Sequence, residues 1–366
     1  MLRQIHVAAV LTACIAVAGG RALANDSALS AIGGGAVEPM GRHKSIRMVR
    51  EKATARLDSE SARVRCEFVF KNEGKAVTVT MGFPEKAWAY GDGSTEMRLK
   101  GFRSWVDGRL VRTRYAPSGK KGEIPRHEEY RAWYVKKIPF EAGQTRTVVD
   151  EYTSELGGSG SVGSEYDAIS LFNYILKTGR NWKGPIGQAV VIVDASRFPR
   201  TYYDISALPK GYTSRKRTLT WTMRNFEPTG DIEIEFVPRS PKLNGKMING
   251  YSWSPFSVVN GRAMTGLGFI EDALGGSVDD KAKRIRVIKY AGRTLTLKAG
   301  SGTAQLDGSR RITLPVAPIA GKYDQFSVPV AAVVRVLGGK ARYDWKSRRL
   351  NLWLAPASAK RGSSTS

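Results

Sequence analysis

The chain reads as β-rich and two-domained: an N-terminal antiparallel β-sandwich-like domain with one or two helices, then a small α+β domain built from two helix–strand repeats. Three observations predict this. Short segments alternating apolar and polar residues recur between Ile46 and Val237 with turn residues between them, which is the pattern of antiparallel sheets. A Leu-Gly-Gly unit followed by an Asp, basic residues and an alternating run is written twice, at 274–276 and 337–339. Between these regions "PRSPKLNGKMINGYSW" carries two prolines, two glycines and few periodic apolar positions. The expected domains are therefore 25–237 and 257–356, with a linker at 238–256 and a polar, disordered tail at 357–366.

In chain order, "MLRQIH" is a basic leader and "VAAVLTACIAV" an apolar stretch of eleven residues. That is short of the roughly 20 a spanning helix needs. "GGRALA" then places small residues at Ala22 and Ala24, so residues 1–24 are expected to be an export signal cleaved between Ala24 and Asn25. The competing reading takes "LTAC" as a lipobox, with Cys14 lipid-anchored. No later segment is apolar enough to span a membrane. Once the leader is gone Cys66 is the single cysteine, which excludes an internal disulfide. In "VRCEFVF" it shares a strand face with Val64 and Phe68, a core position.

"ARVRCEFVFKN" and "AVTVTMGFP" flank the short "EGK", as a hairpin does, and "FRSWVDGRLVRTRY" folds about Asp107-Gly108. "TRTVVDEYTSEL", "QAVVIVD", "RTLTWTMRNF" and "DIEIEFVP" continue the strand pattern. One helix is predicted at "YDAISLFNYILKTG" (166–179), with Gly179 as its C-cap. In the second domain, "LGFIEDAL" and "VAAVVRVL" are short helical runs, each stopped by a glycine pair that supplies left-handed backbone. Asp279 and Asp344 then lead through basic turns into "RIRVI" and "RLNLWL".

Two resemblances follow from these residues. "VNGRAMTGLGFIEDALGG", "AGRTLTLKAGSGTAQLDGSRRITL" and "SVPVAAVVRVLGGKARYDWKSRRLNLWL" resemble the copper amine oxidase N-terminal-like, or stalk, domain across roughly 257–355. That family has a proline before each helix; Pro329 fits, while Gly266 stands at the equivalent place of the first copy. The resemblance implies a non-catalytic module. The oxidase itself needs an Asn-Tyr-acid cofactor site and three histidine ligands, whereas Asn173-Tyr174 is followed here by Ile175, and His43 and His127 are the histidines left after the leader. The first domain resembles the bacterial secreted domain of unknown function 4424, from "ANDS" at the expected cleavage through "SIRM", "VFKN", "VTMGFP" and "YILKTGRNWKGPIGQAVVIVD" to "NFEPTGDIEIEF". It implies an exported protein and no particular activity.

The residues carry few signs of catalysis. Gly158, Gly160 and Gly163 spell G-x-G-x-x-G, but no acidic residue stands about 20 further on, so they read as a Gly/Ser loop. "HEEY" at 127–130 lacks the second histidine of a zinc pair, and no G-x-S-x-G elbow marks a nucleophile. No catalytic residue, metal or cofactor is expected. "TGRNWKGPIGQ" is a fixed turn from which Arg180, Trp182 and Lys183 offer a candidate ligand loop, unless Trp182 is a buried plug. The formal charge is +25, and much basic charge falls in the two repeats. Lys283, Arg284, Arg286, Arg342, Lys346, Arg348 and Arg349 are the candidate polyanion surface, or else a solvated face. For an exported chain the partners would be anionic cell-wall or outer-envelope polymers, or another envelope protein; the absence of any nucleic-acid motif argues against nucleic acid. The expected role is binding or scaffolding in the periplasm, at the cell surface or as a released protein. The alternatives are a polysaccharide-processing hydrolase, using acids such as Glu128, Glu129 and Asp150, and a pure assembly module.

Overall fold

A computed structural model describes residues 22–24, 27–32, 36–39, 43–58, 60–85, 99–117, 130, 132–159, 169–248, 256–282, 284–321 and 325–357. The leader before Ala22, Cys14, Asn25, His127, Glu128, Glu129, most of the Gly/Ser loop, Lys283 and the tail after Ala357 lie outside them.

Eight strands form the large sheet of the first domain: β1 (Ile46–Leu57), β2 (Ser61–Asn72), β3 (Lys100–Val106), β4 (Arg109–Val111), β5 (Thr145–Glu155), β6 (Ile186–Asp194), β7 (Thr213–Arg215) and β8 (Thr218–Phe226). Their spatial order is β7-β8-β6-β1-β2-β5-β3-β4, antiparallel except for the parallel pair β6–β1. Alternation sets the faces. β2 buries Ala62, Val64, Cys66, Phe68 and Phe70 and turns Arg63, Arg65 and Lys71 outward. Cys66 is a core residue, as its spacing predicts.

Two five-stranded sheets supply the opposing layer. One contains 169–175 between 22–24 and 232–238; the other runs 36–39, 27–32, 77–85, 132–140, 114–117. Phe83 packs on Tyr152 of β5, with ring centroids 5.2 Å apart, and the Tyr174 hydroxyl donates to Glu51 of β1 at 2.7 Å. Glu51 is buried because β1 has a register shift between Met48 and Arg50, which moves the inward phase onto a carboxylate. Residues 22–24 pair in parallel with 173–175, so cleavage after Ala24 would remove that short strand.

The helix predicted at 166–179 is not formed over the described residues. Ile169–Ile175 is a strand, followed by a 3₁₀ turn at Lys177–Asn181 that contains Gly179. Antiparallel pairing with 232–238 outweighs the local helical pattern. The strand then stops where Asp231 accepts the Leu176 and Lys177 N–H groups at 3.0 and 3.1 Å.

The stretch read as a linker holds two short strands, β9 (Lys242–Leu243) and β10 (Lys246–Met247), and β9 lies parallel to the last strand of the second unit. The Asn244 side chain fixes this join: it donates to the Leu354 carbonyl at 2.7 Å and accepts the Leu354 N–H at 3.1 Å. Residues from inside 238–256 thus join the sheet that holds the last strand of the second unit. The two copies run in parallel: α1 (Gly268–Asp272) precedes β11 (Ser277–Ala282) and β12 (Ile285–Tyr290), and α2 (Val330–Val336) precedes β13 (Lys340–Asp344) and β14 (Arg349–Trp353). Gly275 and Gly338 adopt φ of +64° and +98°, the left-handed stop that glycine supplies without a Cβ clash. The second glycine of each pair is needed for space. A Cβ on Gly276 would stand 2.8 Å from Ile270 Cγ2 and from the Lys289 carbonyl, and one on Gly339 would strike the Trp353 carbonyl.

No helix among the described residues is long and apolar enough to cross a membrane.

Candidate functional site

The β13–β14 hairpin sits at the edge of a sheet ordered β10-β9-β14-β13. Register divides its side chains. Ala341 and Tyr343, opposite Leu352 and Leu350, face the core. Lys340 opposite Trp353, and Arg342 opposite Asn351, share the other face, which Lys242 joins next to Asn351. The turn is held by Asp344, which accepts the Lys346 N–H at 2.9 Å and the Ser347 hydroxyl at 2.5 Å. The Ser347 hydroxyl, then the Lys346 N–H, keep the Asp344 carboxyl below its usual range. Asp344 is thus an ionised turn cap, while Asp279 of the first copy lies within strand β11 rather than in a turn.

Trp345 is 79% exposed and Trp353 46%; among the described residues these are the exposed tryptophans. Large exposed aromatics carry information that buried ones do not. Together with Arg342, Tyr343, Asp344, Lys346 and Asn351 they line an open depression of about 460 Å³. Tyr343 meets Trp345 edge-on at 4.7 Å, which steadies the indole at the hairpin tip. Flat indole faces can stack on sugar rings, and the exposed Arg342 and Lys346 can hold anionic substituents.

The structure splits the predicted polyanion surface. Arg342, Lys346 and Arg284 are exposed. Arg286 is not surface: it is 5% exposed, paired with Asp280 at 2.6 Å, lies 5.1 Å over the Phe326 ring and donates to the Ala282 carbonyl at 3.1 Å. Its inward position in β12 makes it a structural residue. Arg348 joins Arg239 on Asp204, a residue of the first domain, and Arg349 donates to the Ser240 carbonyl at 2.7 Å. Both belong to the contact between the units, where Tyr343 also donates to the Thr201 carbonyl at 2.7 Å and Tyr202 and Tyr203 pack on Phe256.

The candidate ligand loop dissolves in the same way. Trp182 is 1% exposed, with its ring 4.5 Å from Phe70, so it is a core plug. Lys183 pairs with Glu73 at 2.9 Å, which leaves Arg180 exposed. Asp150, named among the hydrolase acids, is fully buried and held by Lys136 at 2.8 Å. Among the described residues no group of three or more His, Cys, Asp or Glu could hold a metal ion. The sequence reading missed Trp345, Trp353 and Lys242; alternation in "RLNLWL" placed Trp353 outward and could have flagged it.

Comparison with known proteins agrees with both halves. Residues 242–352 match the copper amine oxidase N-terminal domain family, and residues 164–234 match a domain of unknown function, number 4424. The first match begins at β9, inside the stretch read as a linker. No curated protein matches the chain. Among solved structures, a Legionella pneumophila protein described as a "putative nutrient binding protein" is 19% identical, with a TM-score of 0.43, over 60% of this chain and 72% of that one. An M1 zinc metallopeptidase from Deinococcus radiodurans is 10% identical, with a TM-score of 0.25, over 54% of this chain and 43% of its own length. The chain therefore spans less than half of that peptidase.

Proposed function

We propose that this is an exported, non-enzymatic envelope protein whose second unit binds anionic glycan polymers of the envelope through the outer face of the β13–β14 hairpin. One observation carries the reading: Trp345 and Trp353 stand exposed around Arg342 and Lys346, while the neighbouring Arg348 and Arg349 are spent on the domain contact. The indoles supply stacking area and the two cations supply attraction that salt weakens. The match to a domain found at the N-terminus of an oxidase, rather than to the oxidase domain, supports a binding or scaffolding role. In this reading residues 1–24 are the export signal, 25–237 and the second unit form the mature protein, and no cofactor takes part.

The test is co-sedimentation of the mature chain with isolated lipopolysaccharide or wall teichoic acid at rising salt. Retention that falls with salt, and is lost in the W345A/W353A variant while the protein stays folded, supports the proposal. Retention indifferent to both changes contradicts it.

A further inference from the structure

The outer face of the large sheet of the first domain carries a second cluster of cations. Register assembles it from residues far apart in sequence. Lys100 of β3 lies opposite Thr153, Thr153 opposite Arg63, Arg63 opposite Arg56, and Arg56 beside Asp194. The next row is Arg103, Glu151, Arg65, Thr54 and Ile192. A bulge at Gly101, with φ of +63°, adjusts β3 so that Lys100 comes into line. Together these residues line an open depression of about 730 Å³, with five cationic side chains against Glu151 and Asp194. That size is within the usual range of small-molecule sites, roughly 300–1,000 Å³.

In the second row both cations are paired: Glu151 takes Arg65 and Arg103, the latter at 3.5 Å. In the first row Lys100 pairs with Glu155 at 2.7 Å. Arg56 and Arg63 have no ion pair among the described residues, although they stand directly opposite each other. The nearby carboxylates make no ion pair with them: Asp194, beside Arg56, accepts the Ser196 N–H at 3.0 Å, and Asp58, which feels the Arg63 charge, accepts the Glu60 and Ser61 N–H groups at 3.0 and 2.7 Å. Like charges directly across a strand pair are destabilising, with Cβ atoms roughly 5 Å apart. An anion between them removes that repulsion, and two guanidinium forks suit the oxygens of a phosphate.

We infer that Arg56 and Arg63, with Lys100 at the end of their row, bind a phosphate-bearing ligand on the open face of the large sheet. This site is separate from the hairpin of the second unit and does not rest on the function proposed for it. Phosphate chemistry can come from a soluble phosphorylated compound or from a lipid headgroup, and the experiment separates the two.

The mature full chain is titrated with inorganic pyrophosphate in a calorimeter and, in parallel, floated with phosphatidylcholine vesicles with and without phosphatidic acid. The expected result is binding in at least one arm that weakens about tenfold or more in R56Q/R63Q, as loss of charge-assisted hydrogen bonds requires, and is unchanged in K281Q/K298Q, at two exposed lysines assigned to neither site. Binding in the pyrophosphate arm identifies a soluble ligand; binding with phosphatidic acid vesicles alone identifies a headgroup. R56Q/R63Q should melt no lower than the parent in the absence of ligand, because the substitution relieves repulsion. R63K, which keeps the charge but not the fork, should fall between. Absence of binding in both arms, or equal loss in R56Q/R63Q and K281Q/K298Q, would overturn the inference.

Discussion

The hairpins of the two copies, β11–β12 and β13–β14, share a backbone device and differ in where their charge goes. In both, a left-handed glycine ends a short helix and a second glycine lets the chain pass against the returning strand. In the first copy the charge closes on itself: Arg286 pairs with Asp280 at 2.6 Å and Lys289 with Asp279 at 2.5 Å. In the second copy the single carboxylate, Asp344, caps the turn, and the cations are sent elsewhere, Arg348 to Asp204 of the first domain, Arg349 to the Ser240 carbonyl, and Arg342 and Lys346 to solvent. The glycines are therefore architecture, and the basic residues around them take whatever role their face assigns. A motif repeated in sequence does not repeat its function.

The largest expected effect falls on the shared device. Gly339→Ala forces a Cβ onto the Trp353 carbonyl and Val334, and Gly276→Ala forces one onto Ile270 and the Lys289 carbonyl. Each should destabilise the chain by about 3 kcal/mol, at the upper end for an overpacked site, measured by urea unfolding. If one copy tolerated alanine, the claim that the device is shared would fail. Next is Arg286→Ala, which removes a buried guanidinium that pairs with the exposed Asp280 and lies over Phe326. A loss of about 2 kcal/mol is expected, against less than about 0.5 kcal/mol for Arg342→Ala, in the same assay. Equal losses would erase the distinction between inward and outward cations. The Arg348→Ala variant should loosen the contact between the units and leave each unit's strands intact, seen as faster amide exchange around Asp204 and Tyr343.

The smallest effect is that of pH on the second turn. The Asp344 carboxyl is held below its ordinary value of 3.8 in the folded chain, so the unfolded chain binds the proton first as pH falls. The turn's contribution is present above that ordinary value and disappears as pH drops through the lowered one. The Lys346 amide resonance should report this titration, and Ser347→Ala should shift its midpoint upward. An unchanged midpoint would show that the hydroxyl does not hold the carboxylate.

Strand alternation, the core position of Cys66 and the glycine stops before β11 and β13 were legible in the sequence, because each is set by neighbours within a few residues. Features set by distant neighbours were not. The 169–175 segment is a strand because 232–238 pairs with it, and Glu51 is buried because of a bulge two residues earlier. Trp182 and Arg180 read alike in "GRNWKG", yet Phe70 receives the indole and solvent receives the guanidinium. Arg56 and Arg63 look unremarkable in sequence and become neighbours only through the register of β1 and β2. The candidate site was half legible: Arg342 and Lys346 were named, Lys242 and the two tryptophans were not.

The most direct test of the proposed function compares the two copies in one assay: binding of the mature chain to isolated anionic envelope glycan by W345A/W353A, by R342Q/K346Q and by K281Q/K298Q, a charge-matched change to exposed lysines of the first copy's region. The two hairpin variants should lose binding, and K281Q/K298Q should keep nearly all of it. Equal weakening by R342Q/K346Q and K281Q/K298Q, with no effect of the tryptophans, would reduce the hairpin to diffuse positive charge and contradict the account.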